Sequence, residues 1–77
     1  MSQGIKADKR IGENISKARK SRGLTQEQLS AQLQVHGIDI SRGTLAKIEA
    51  GIRHVSVEEL EAIKTILGMV YDDFFAE

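Results

Sequence analysis

The sequence predicts an all-α fold, a compact domain of five short helices, and three observations lead there. Proline is absent from the 77 residues and only one Tyr and two Phe are present, a composition that suits helices better than a β-sandwich. Thr25 and Ser56 are each followed three positions on by a glutamine or glutamate, Gln28 and Glu59. That is the capping-box spacing, in which the two side chains satisfy each other's free backbone donors at a helix start. Gly23, Gly37, Gly51 and Gly68 each close a segment with helical apolar spacing, the position where helices end on a left-handed residue.

These marks place the elements in order. The first helix runs from about Asp8 to Arg22, with Ile11, Ile15 and Ala18 on one stripe. Ahead of it, residues 1–7 read as a flexible N-terminal arm, leaving 8–77 as the single domain. The second helix runs from about Gln26 to Gln34 and turns Leu29 and Leu33 inward; Leu24, just before the cap, forms a hydrophobic staple with Leu29. The third runs from Arg42 to Ala50, with Ser41 as a cap that lacks the box and Ile40–Leu45 as its staple. Leu45, Ile48 and Ile52 define its inward face at about 100° per residue. The fourth runs from Val57 to Leu67, stapled by Val55 and Leu60, with Leu60, Ile63 and Leu67 inward. A short last helix covers Tyr71 to Phe75. Apolar residues at this spacing are core rather than a cofactor box.

Composition narrows the function. A chain of this length makes one domain with a small core. Cysteine is absent and there are two histidines, His36 and His54, which excludes a disulfide framework, a thiolate metal site and a Cys/His zinc finger. The histidines fall in loops, with no nucleophile or carboxylate at a spacing that forces proximity. Asp72–Asp73 reads as a solvated helix face rather than a metal site. No enzyme activity, metal or cofactor is therefore expected. No apolar run approaches the roughly 18 residues of a membrane span and the start lacks a signal-peptide pattern, so a cytoplasmic location is expected. Net charge is zero, but its distribution is lopsided. Residues 1–53 hold ten Lys and Arg against five acids, a net of +5, and residues 54–77 hold Lys64 against six acids, a net of −5. Such asymmetry hints at a polyanionic partner.

Two stretches sharpen that hint. Leu24-Thr25-Gln26-Glu27-Gln28-Leu29-Ser30, preceded by Gly23, and Ser41-Arg42-Gly43-Thr44-Leu45-Ala46-Lys47-Ile48-Glu49-Ala50-Gly51 resemble the XRE/Cro-type helix-turn-helix family. Its pattern opens the second helix with Gly-Leu-Thr-Gln and runs through a Ser-x-x-Thr-Leu-x-Lys-Ile-Glu-x-Gly third helix. The closing Asp72-Asp73-Phe74-Phe75 is also similar to the family's last helix, so the likeness covers about residues 8–75. Gly23 to Gln28 match well, with Ser30 where alanine is usual and Gly43 where the family usually carries a reading side chain. One departure is plain, the turn from Gln34 to Ile40 being longer than the family's.

The resemblance implies a lambda-repressor-like domain in which the second and third helices form the helix-turn-helix and the third, residues 42–50, enters the major groove of double-stranded DNA. The residues can be read for that task. Opposite the core, the third helix shows Gly43, Ala46, Lys47 and Ala50, flanked by Arg42 and Thr44, a thin face able to approach base edges. The Arg42 fork suits a guanine; Lys47 suits a base or phosphate and Thr44 a thymine methyl. Gly43 allows only close approach, which shifts weight toward DNA shape. For phosphates the candidates are Gln26 at the second helix start, Ser41 at the third, and Arg53 in the loop that the family commonly uses. Lys17, Lys20 and Arg22 supply long-range attraction, and Lys6, Lys9 and Arg10 can track the backbone from the arm. Arg19 and Glu49 flank inward stripes, and the family pairs residues at these positions as a structural ion pair.

A single such domain contacts one half-site, so a homodimer on a near-palindromic operator is expected. The candidate contact is the C-terminal end: Met69, Val70, Tyr71, Phe74 and Phe75. The resemblance points to a small, repressor-like transcription regulator: a phage repressor, an antitoxin, a restriction-modification controller or a fragment of a longer regulator. A protein-interaction module on the same scaffold is the alternative, since fold does not dictate function.

Overall fold

The computed structural model describes the backbone from Ser2 to Glu77 and the side chains from Asp8 onward. Its helices are α1 (Ser2–Ser21), α2 (Gln26–Val35), α3 (Arg42–Glu49), α4 (Val57–Leu67) and α5 (Tyr71–Phe74). The described residues contain no strand. Helices α2, α3 and α4 begin where their caps predict. Thr25 Oγ1 accepts from the Gln28 N–H at 3.0 Å, and the Gln28 side chain accepts from the Thr25 N–H at 2.8 Å. Ser56 and Glu59 repeat the exchange at 3.2 and 2.9 Å. Ser41 Oγ accepts from Thr44 N–H at 3.2 Å, without a reciprocal bond. Helix α1 begins well ahead of the expected Asp8, because that start was set by apolar periodicity and no cap or proline marks it. The arm read into residues 1–7 falls on Met1 and on side chains outside the described residues.

Among the described residues, ten form the core: Ile15, Leu29, Leu33, Ile40, Leu45, Ile48, Ile63, Leu67, Met69 and Phe74. Three sequence expectations are corrected here. Ile52 is exposed rather than inward, since the helix has ended at Glu49 and Gly51, at φ +77°, turns the chain off the helical phase. Phe74 is fully buried within the single chain and so belongs to the core, not to a dimer contact. Met69 is buried with it. The burial of Phe74 has a cause on α1. Asn14 Nδ2 on α1 donates to the Phe74 carbonyl at 2.8 Å and to that of Ala76 at 2.9 Å, folding α5 back onto α1. Burying a phenylalanine side chain there contributes about 1.5–3 kcal/mol.

Helices α1 and α3 meet backbone to backbone. A methyl group on Gly12 would overlap the Ile48 carbonyl oxygen and lie 2.6 Å from that of Glu49. One at Gly51 would lie 2.6 Å from Lys9 Cα. Only glycine permits this approach, which fixes the inner side of α3 and leaves its other side to solvent. No helix among the described residues is long and apolar enough to cross a membrane.

Candidate nucleic-acid interface

Helix α3 buries Leu45, Ile48 and Glu49. Arg42, Gly43, Lys47 and Ala50 are exposed, and Thr44 and Ala46 are half-buried between the two sides. The residues expected to meet bases, Arg42, Gly43, Thr44 and Lys47, thus come together along one accessible edge. Neither Arg42 nor Lys47 forms an ion pair among the described residues. Packing does not require Gly43: a side chain there would meet only Ser41 Oγ, 3.9 Å away. A depression of about 300 Å³ separates α2 from the start of α3, lined by Glu27, Ser30, Ala31, Gln34, Ser41 and Arg42.

The inner side of α3 is held by charge as well as by carbon. Arg19 Nε and Nη2 donate to the two Glu49 carboxylate oxygens at 2.7 and 2.9 Å, and Arg19 Nη1 donates to the Leu24 carbonyl at 2.8 Å. The side chains are 9% and 6% exposed. The hydrogen bonds that Arg19 donates to Glu49 raise its pKa above the ordinary value against the opposing effect of burial, so the guanidinium stays charged. A short, bidentate pair of this kind is the strong variety. It ties α1 to the C-terminal half of α3.

The residues expected at phosphates fare differently. Ser41 is exposed, but its hydroxyl is occupied in capping α3 and donates to Thr44 Oγ1 at 3.1 Å. Gln26 Nε2 donates to Glu49 Oε1 at 3.0 Å, so its amide is turned toward α3 and leaves the free N–H groups of the first α2 turn as the donors on offer. Arg53 is held by Glu59 through two bonds of 3.0 Å and donates to the His54 carbonyl at 2.9 Å. Its side chain is 39% exposed. The Arg53 hydrogen bonds hold the Glu59 carboxyl below its usual range, and Glu59 in turn raises Arg53. Its charge is therefore largely compensated.

Sequence reasoning missed several of these contacts. Glu59 reads as a capping residue, and its pairing with Arg53 crosses an irregular loop where no periodicity signals it. The bond from His54 Nδ1 to Asp8 Oδ2, 2.6 Å, likewise joins a loop to α1. Gln26 and Glu49 lie 23 positions apart, and only the angle between α2 and α3 brings them together. At the C-terminal end, Val70, Tyr71 and Phe75 remain exposed. Tyr71 donates its hydroxyl to Glu61, and Lys64 Nζ sits 5.0 Å from its ring centre.

Comparison with known proteins identifies the family. The helix-turn-helix family model matches residues 15–75. The chain is 36% identical over 69 residues to control protein C.MunI of a Mycoplasma species, covering 88% of this chain and 86% of that protein. No solved structure matches. With the family pattern running from α1 through α5 and α3 presenting its open edge, the chain belongs to the XRE-type helix-turn-helix family of DNA-binding transcriptional regulators.

Proposed function

We propose that this protein is a sequence-specific, repressor-like regulator that lays α3 in the major groove of double-stranded DNA and acts in the cytoplasm as a homodimer on a near-palindromic operator. The observation that carries the reading is the exposed edge of α3, where Arg42 and Lys47, in no ion pair among the described residues, lie with Gly43 and Ala50. Arg42 reads a guanine with its fork, at about 1–3 kcal/mol of discrimination. Thr44 and Lys47 take neighbouring contacts. Gly43 brings the backbone close and leaves part of the selectivity to DNA shape. The N-terminal turns at Gln26 and Ser41 receive phosphates through backbone N–H groups. Arg53, compensated by Glu59, adds less than a free cation.

Val70, Tyr71 and Phe75 form the contact with a second copy; Phe74 is withdrawn from it. The likeness to a protein named as a control protein favours a controller among the regulator types. Selection of bound duplexes from a random pool tests binding, symmetry and half-site spacing together. Contact with about 6–10 phosphates weakens affinity by roughly 10³–10⁵ between 50 and 200 mM salt. Failure to bind any duplex at low salt overturns the proposal and leaves the protein-interaction module.

A further inference from the structure

The connection between α2 and α3 runs from His36 to Ser41. A connection of this length, left loose, would let the start of α3 swing, whereas base readout needs side chains held within about 0.5 Å of their working positions. The connection is not loose. Ile38 N–H donates to the Leu33 carbonyl at 2.9 Å, and Ile40 is buried in the core at 1% exposure. The Ile40 carbonyl accepts the Ser30 hydroxyl at 2.6 Å and Gln34 Nε2 at 3.3 Å. Ile40 directly precedes Ser41, the cap of α3, and lies two residues from Arg42.

Ser30 is a polar residue at the middle of a helix and is itself 4% exposed. A serine in a helix interior commonly bonds back to the carbonyl one turn earlier on its own helix. Here the hydroxyl crosses instead to the residue that launches the next helix. Alanine would fill nearly the same space but leave the Ile40 carbonyl with only the longer bond from Gln34. The serine, where the family usually has alanine, and the lengthened turn meet in the fold at one hydrogen bond. We propose that Ser30 is a positioning residue for DNA recognition: its bond to the Ile40 carbonyl sets the start of α3, and with it the direction of the Arg42 fork. This inference rests on the DNA-binding reading above.

The test compares affinity for a selected duplex with affinity for random duplex. In Ser30→Ala the ratio falls about tenfold, the lower part of the range for one lost bidentate base contact, while random-duplex affinity stays within about twofold because phosphate contacts set it. Equal loss on both duplexes shows a merely structural serine and overturns the proposal, as does an unchanged ratio. Should Ser30→Ala not fold, Ser30→Thr and Ser30→Val are nearly isosteric and differ in the hydroxyl; a similar ratio in both overturns it. Amide exchange at Thr44 and Leu45 is read on the same variants without DNA. Faster exchange where the hydroxyl is lost supports positioning, and unchanged exchange refutes it. If the wild-type chain selects no duplex, the functional reading fails, and the exchange data still decide whether Ser30 positions α3.

Discussion

Replacing Glu49 by alanine leaves the Arg19 guanidinium facing empty, largely dry space. The lost carboxylate accepts two bonds from Arg19 and one from Gln26. Breaking a buried pair by removing one partner costs about 3–5 kcal/mol. Arg19 keeps its bond to the Leu24 carbonyl, which places the loss near the lower figure. A domain of this size has roughly 4–12 kcal/mol of stability in total, at 0.05–0.15 per residue, so about 3 is a large fraction. At about 4–8 °C per kcal/mol, the melting temperature falls by roughly 12–24 °C. Urea and thermal melts followed by circular dichroism measure this directly. The double variant Arg19→Met/Glu49→Leu supplies the control, because removing both charges returns stability close to the wild type. A Glu49→Ala chain that loses less than about 1 kcal/mol would refute the reasoning, since the pair would then be solvated rather than buried.

Three further outcomes are expected. Gly12→Ala, despite gaining up to about 1 kcal/mol of helix propensity, destabilises the fold by a net 1 kcal/mol or more, roughly, because its methyl forces α1 off the Ile48 and Glu49 carbonyls; a neutral urea midpoint would contradict the close approach. Glu59→Gln keeps an acceptor for the Ser56 cap but removes the charge facing Arg53. The depressed Glu59 carboxyl stabilises the fold above the unfolded carboxyl pKa and loses that contribution as pH falls through its lower folded value. The stability gap between wild type and variant therefore closes in acid, and a gap that persists below both values argues against the pairing. Phe74→Ala costs about 3–5 kcal/mol by opening the core, whereas Phe75→Ser leaves the melt nearly unchanged and weakens self-association in sedimentation; the reverse pattern would reassign the two rings.

Local signals made most of the helical frame legible. A hydroxyl residue with a glutamine or glutamate three positions on acts within one turn, so Thr25 and Ser56 mark helix starts whatever surrounds them. The four terminating glycines, all at positive φ, are local in the same sense. The spacing of Leu45 and Ile48 places the inward side of α3 and hence its open edge. What could not be read along the chain depends on partners far apart in sequence. Phe74 and Phe75 are adjacent aromatics with equal claim to core or surface, and the choice is made by Asn14, 60 positions away, drawing α5 onto α1. Arg53 reads as a free cation until the fourth helix brings Glu59 against it. The need for glycine at position 12 arises only where α3 crosses it. Short-range hydrogen bonds and periodicity are properties of neighbouring residues; the state of a charge and the burial of a ring depend on whatever the packing of helices sets beside them.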